Sequence, residues 1–361
     1  MSGSPPFSMN LFDKIAHSKW FIRWSNWEYW PIQLANFPVV LIWLWFALRA
    51  RKLFFFSAVN PVIETGGVLG ESKYNILKRI PQQYLPKTVF VKKGSSFQAV
   101  LKEIEKAGQH YPLLCKPNIG ERGFLVRKIR SEADLLDYFE NTPVDFLIQE
   151  FVDFSMEMSI LHHLAPGAES GQTTSICLKE FLTVTGDGSS SVFDLMKNSG
   201  RAKLQIERLE KDAPERLRYI PGEGEKFLIE PIGNHCRGTK FLNGNFLIDK
   251  QLSALFDTIM AQMEGIHYGR FDLKTPNVLE LKKGNLKILE FNGVAGEPAH
   301  IYDPEMPVWK KYAEIYRHWK IIYRLYKIQA ARGVRPMNLQ EARQSLNEYF
   351  AYKKYAETTH S

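Results

Sequence analysis

The sequence predicts an α+β protein, and three features predict it. A short apolar strand at Ile288 and Leu289 runs into Glu290 and Asn292, two positions apart, and then into a turn from Gly293 to Gly296. Residues i and i+2 of an extended chain share a face, so two oxygen-bearing side chains leave one side of the strand. Upstream, Gly269-Arg270-Phe271-Asp272 places Arg270 and Asp272 on one face in the same way. Helical periodicity over residues 96–109 and 309–332 puts amphipathic helices among and after the strands.

From the N-terminus, residues 1–10 lack the apolar run and cleavage site of a signal peptide. Trp20, Trp24, Trp27 and Trp30 then lie along one helical stripe, with Lys14, Lys19 and Arg23 nearby. Tryptophan suits the membrane–water boundary. Residues 37–48 contain no polar side chain, and Arg49, Arg51 and Lys52 close the run. This segment suits a monotopic hairpin, a single span, or a helix docked on the soluble part. The basic residues after Leu48 favour the cytoplasmic face of a membrane for the chain from residue 53 onward.

Residues 53–59 read as a buried strand. Gly66, Gly67, Gly70, Ser72 and Lys73 come next, glycine letting backbone approach a ligand closely. A helix at residues 73–80 offers its N-terminus to an anion. Residues 86–91 and 111–118 read as strands, the second carrying Lys116 near its end. Gly120-Glu121-Arg122-Gly123 and a strand at 124–129 come after it. A lysine beside a glycine loop suits a phosphate chain, with charge from one and N–H donors from the other. Residues 147–152 form another strand, including Glu150, Phe151 and Val152, and Glu157 lies just beyond. Residues 175–185 read as one strand carrying Lys179, ended by Gly186-Asp187-Gly188, with a helix starting at Ser191. Residues 201–219 read as surface helix and 227–232 as strand. Arg237, beside Gly238, is an anion candidate. His235 and Cys236 face apart if extended, which argues against a nucleophilic pair.

Taken together, the two polar strands resemble the metal-binding end of the ATP-grasp superfamily. Arg270-Phe271-Asp272 and Glu290-Phe291-Asn292 match its Arg-x-Asp and Glu-x-Asn strands residue by residue. The likeness is to D-alanine–D-alanine ligases, and Thr185-Gly186-Asp187-Gly188 with the helix after it is similar to the cyanophycin-synthetase branch. It covers residues 71–304. It implies two α+β subdomains clasping ATP, with two Mg²⁺ ions on Asp272, Glu290 and Asn292. Arg270, Lys179 and Lys116 would be catalytic. Lys73, Lys116, Gly120, Gly123, Glu150, Phe151, Val152 and Glu157 would hold the nucleotide, Glu157 at the ribose. Gly66, Gly67, Ser72 and Arg237 are substrate candidates. The implied reaction is amide formation by a carboxylate–amine ligase through an acyl phosphate. A kinase stopping at phosphoryl transfer and a nucleotide-binding scaffold are the alternatives. The family's preceding Rossmann-like domain is shortened here or replaced.

The expected division is a membrane-associating segment at 1–52, a shortened region with the glycine loop at 53–85, the catalytic domain at 86–304, and basic amphipathic helices at 305–361. The net charge of +8 is uneven: residues 1–60 hold six Lys/Arg against two Asp/Glu, and residues 301–361 eleven against six. Basic, aromatic ends around a neutral middle point to an anionic membrane surface, and to carboxylate and amine substrates that are small or lipid-linked, rather than to nucleic acid. Cys115, Cys177 and Cys236 form no CxxC pair, which argues against zinc and disulfides.

Overall fold

The computed structural model describes residues 27, 30–121, 123–230, 233 and 238–358. Helix α1 (Ile32–Ala50) is followed by a buried 3-10 turn at Phe55–Ala58. That turn replaces the strand expected at residues 53–59. An all-apolar run has no period that separates strand from helix, and Phe55 and Phe56 lay ring edges against Trp319, with Phe55 also meeting Tyr323 and Tyr326. Helix α2 (Lys73–Leu77) is shorter than the expected 73–80.

The first lobe is built from β1 (Thr88–Val91), α3 (Phe97–Lys106), β2 (Leu113–Pro117), β3 (Arg127–Ile129), α4 (Glu132–Asn141) and β4 (Phe146–Glu150). Its antiparallel sheet has the order β1-β4-β2-β3. Ser96 and Ser131 cap α3 and α4 with their hydroxyls. Val100, Ile104, Leu135 and Tyr138 bury the two helices against one face of that sheet.

The second lobe contains β5 (Met156–His163), β6 (Gln172–Glu180), β7 (Thr183–Thr185), α5 (Val192–Lys197), α6 (Ile206–Asp212), α7 (Pro214–Leu217), β8 (Lys226–Leu228), β9 (Lys240–Asn243), α8 (Lys250–Ala261), β10 (Tyr268–Thr275), α9 (Val278–Lys282) and β11 (Lys287–Asn292). Five strands form an antiparallel sheet of order β11-β10-β5-β6-β9. The run expected as one strand at 175–185 divides: β6 stays in this sheet, while β7 pairs with β8 in a separate two-stranded antiparallel sheet. Along β10, Phe271 and Leu273 are buried on the side of α8. Phe271 lies 4.8 Å from the Phe291 ring and 5.1 Å from Phe256. Burying each such side chain contributes about 2–3 kcal/mol. The alternate residues Arg270, Asp272 and Lys274 are thereby held on the opposite face.

Helices α10 (Val308–Ala331) and α11 (Leu339–Thr358) wrap this frame. Ile315, Ile322, Leu325 and Tyr326 bury α10, and α1 lies along it through Phe46, whose ring is 5.4 Å from both Tyr316 and Tyr323. Trp27, expected at a membrane boundary, is buried here: it meets Tyr302 and Tyr312, and its Nε1 donates to Tyr312 Oη at 3.1 Å. Trp30 is half-buried and packs in the same cluster. An aromatic stripe satisfies a protein surface as readily as a bilayer. Trp20 and Trp24 lie outside the described residues.

Candidate active site

Between the two lobes lies a cleft of about 440 Å³. Its floor is the polar face of the five-stranded sheet. Antiparallel pairing sets Asp272 opposite Glu290 and Arg270 opposite Asn292, so the two motifs meet across one ladder. Asn292 Nδ2 donates to Asp272 Oδ2 at 3.0 Å, and Ser159, opposite Asp272 on β5, donates to Oδ1. Lys179 Nζ lies 3.4 Å from Asp272 Oδ1 and 3.0 Å from Glu157 Oε1. From the other side, Lys73 Nζ reaches Glu290 Oε1 at 3.1 Å and donates to the Gly120 carbonyl. Lys116 Nζ donates to the Leu289 carbonyl at 2.7 Å.

These charges set one another's protonation. Burial works against ionising Asp272, but Lys179 and Arg270 outweigh it and hold the carboxyl down to about 2. Burial likewise opposes the Glu290 carboxylate, and Lys73 with Lys116 overcomes it. On Lys179 burial is overridden by Asp272 and Glu157, which raise its pKa. Lys116 is the exception: burial prevails over Glu290 and brings it down to about 8.

Residues from both lobes line the walls. Gly120 and Gly123 stand over the cleft with Lys116, and Glu150, Phe151 and Val152 line the connection between the lobes. Lys274 donates to the Val152 carbonyl at 3.1 Å, and Phe151 takes Lys128 over its ring at 3.6 Å. The cleft thus gathers Lys73, Lys116, Gly120, Gly123, Glu150, Phe151, Val152, Glu157, Lys179, Arg270, Asp272, Glu290 and Asn292.

Gly66, Gly67 and Ser72 do not line it. Gly67, at φ +85°, packs on Gly293, where an added Cβ would sit 2.6 Å from the Gly293 Cα. The carbonyls of Gly66 and Gly67 accept from Val294 and Ala295 N–H at 3.1 and 2.9 Å, so the two glycines buttress the turn after β11. Ser72 caps α2 and donates to Asn118 Oδ1 at 3.1 Å. Asn118 also takes the N–H groups of Lys73 and Tyr74, which leaves the start of α2 engaged with protein rather than offered to an anion. Arg237 lies outside the described residues.

Ser159, Lys274, Glu71, Glu297, Tyr302 and Tyr349 also line the cleft and were not anticipated. Lys274 continues the alternation of Arg270 and Asp272, a signal present in the sequence. Tyr349 has no such signal. It comes from α11, which crosses to the glycine loop: Tyr349 Oη donates to Glu121 Oε1 at 3.2 Å and Tyr352 Oη to the Ile119 carbonyl at 3.0 Å.

The donors fit a hard cation and a phosphate chain. Two carboxylates and one amide are an all-oxygen set of the kind Mg²⁺ shares with phosphates. Among the described residues no three His, Cys, Asp or Glu side chains gather as a metal site. Arg270 Nε is buried in this wall without a hydrogen-bond partner, a donor that a bound oxyanion would satisfy.

No protein-family model and no curated protein matches the chain. Among solved structures it is similar to the VanG D-Ala:D-Ser ligase from Enterococcus faecalis, at 14% identity and a TM-score of 0.40, with 71% of this chain and 63% of that one covered. It is also similar to a D-alanine–D-alanine ligase from Bacillus anthracis, at 13% identity and a TM-score of 0.41, covering 73% and 70%. A bifunctional glutathione synthetase from Pasteurella multocida is 14% identical at a TM-score of 0.34, covering 64% and 34%. The chain thus spans less than two thirds of the D-Ala:D-Ser ligase and about a third of the synthetase.

Proposed function

We propose that the chain is an ATP-grasp carboxylate–amine ligase. The observation that carries this reading is the meeting of Asp272, Glu290, Asn292, Lys179 and Arg270 on one sheet face with Lys73 and Lys116, which reach into the same cleft from α2 and β2. Phosphoryl transfer between two anions asks chiefly for position and charge neutralisation, and this cleft supplies four cations and an acidic pair. Asp272, Glu290 and Asn292 would hold Mg²⁺, which supplies Lewis-acid charge when bound. Lys116 and the glycine loop would hold the ATP phosphates. Phe151, Val152 and Glu157 would line the nucleoside end.

In the proposed reaction a carboxylate oxygen attacks the γ-phosphorus of ATP and ADP leaves. An amine nitrogen then attacks the acyl phosphate, phosphate departs, and the amine proton passes to solvent. Lys179 and Arg270 would neutralise the transferring group. The finer part of the reading is an amphiphilic or lipid-linked substrate met at the cytoplasmic face of a membrane, supported by the apolar helix α1.

The test is amine-dependent ADP release with analysis of the product. Glu290→Gln should lower turnover by at least about a hundredfold, because it removes charge stabilisation worth several kcal/mol. Unchanged turnover in that variant would sink the assignment, and a stable phosphoester in place of an amide would make the protein a kinase.

A further inference from the structure

We propose that the outer face of α1, with one stripe of α10, docks on an anionic phospholipid bilayer, and that α1 lies in the membrane plane rather than across it. This goes beyond the ligase reading and does not depend on it. Residues Gln33–Ala50 are the one stretch among the described residues long and apolar enough to cross a membrane. Leu34, Phe37, Leu41, Leu44 and Leu48 recur every three or four residues and are all exposed, Phe37 at 61% and Leu48 at 73%.

The opposite side of α1 is engaged along its length. Tyr312 Oη donates to the Ala35 carbonyl at 3.0 Å near one end, and Phe46 is buried between Tyr316 and Tyr323 toward the other. A span would therefore draw α10 into hydrocarbon beside it. α10 carries Glu314, Arg317, Lys320, Arg324 and Lys327, and charged side chains at bilayer depth are strongly disfavoured. Lying flat keeps the charged side chains of α10 out of the hydrocarbon, at headgroup level or in water, and gives the leucine stripe to lipid.

Charge selects the kind of bilayer. Arg49, Arg51 and Lys52 cluster at the end of α1, with Arg51 and Lys52 exposed. Lys320 and Lys327, both exposed, come one helical turn after the α1-facing Tyr316 and Tyr323 and so flank the stripe. Trp309, 68% exposed, sits two turns before Tyr316 on the same face, as an interfacial aromatic would. A second copy of the chain would bring the same cations against these, whereas anionic headgroups complement them.

The experiment floats the full-length protein with phosphatidylcholine–phosphatidylglycerol vesicles and with phosphatidylcholine vesicles alone. The parent should float with the anionic vesicles. Leu41→Glu/Leu44→Glu should weaken binding at least about tenfold, and Lys320→Glu/Lys327→Glu should remove the preference for phosphatidylglycerol. None of these positions is buried, and unchanged melting temperatures establish that the variants fold. On bound vesicles, a membrane-impermeant maleimide should label both Gln33→Cys and Lys52→Cys from outside. Equal flotation of parent and variants overturns the proposal. Labelling at one end only makes α1 a span. Self-association lost in Leu41→Glu/Leu44→Glu, without vesicle binding, assigns the stripe to a second copy.

Discussion

Lys116 and Lys179 sit buried on the cleft wall with carboxylates and carbonyls around them, while Lys320 and Lys327 on α10 reach solvent. The acidic residues divide in the same way, Asp272 buried among cations and Glu314 part-exposed beside Arg317. What fills the interior also differs. The cleft is organised by charge, and the shell of α1, α10 and the turn at Phe55–Ala58 by aromatic edges on aromatic faces. Ionic contacts fix where a reacting group sits, at a desolvation cost. Ring contacts remove water, tolerate many geometries, and supply the stability that the cleft draws on. Mutations in the two regions should therefore separate activity from folding.

The largest effect expected on stability is in the shell. Phe55 is fully buried among Trp319, Tyr323 and Tyr326, so Phe55→Ala should cost about 3–5 kcal/mol in denaturant unfolding. A loss below about 1 kcal/mol would mean the shell is not a core.

Acid should separate the regions next. Where α10 packs on the core, burial lowers His163 and His300 to about 4 and His318, on α10 itself, well below its ordinary value, with His162 adding to the shift at His163, Arg317 at His300, and His300 at His318. Their unfolded forms take up protons from about pH 6.5 downward and the folded forms do not, so stability is lost as pH falls from about 6.5 toward 4. Each group contributes up to about 1.4 kcal/mol per pH unit in that window. Asp272, held near 2, begins to lose its stabilising contribution only below about 3.8. Melting followed by tryptophan fluorescence should fall first, and a flat profile between about pH 6.5 and 4.5 would refute the buried neutral histidines.

For nucleotide grip, Lys116→Ala should weaken ATP binding by about 1.5–3 kcal/mol, measured by calorimetry. Affinity of the parent should also decline above about pH 8, where this lysine loses its proton. The smallest effect belongs to the strap: Tyr352→Phe removes one hydrogen bond to the glycine loop and should cost about 1 kcal/mol, seen as faster amide exchange around residue 119.

The cleft floor was legible because its signal is local. Arg270 with Asp272 and Glu290 with Asn292 each need only the two-residue period of a strand, and Lys116 needs only the glycines beside it. Ser159 was missed because its meaning comes from lying opposite Asp272, a pairing that one strand does not encode. The glycines at 66 and 67 look the same in sequence whether they face a ligand or, as here, another glycine. Residues 53–59 carried no period at all. The tryptophan stripe ending at Trp27 and Trp30 says that something apolar lies beside it; only the fold says that the something is α10 and Tyr302.

The α11 strap bears on the order in which the molecule assembles. Its tyrosines reach partners 228 and 233 positions earlier in the chain. Closing so long a loop is costly in entropy unless most of the chain between is already folded. During synthesis the two sheets can therefore form and pair before residues 349 and 352 leave the ribosome, with the glycine loop still untied. The cleft gains its last wall only when α11 arrives, so a nascent chain holds a floor of charges well before it holds a finished pocket.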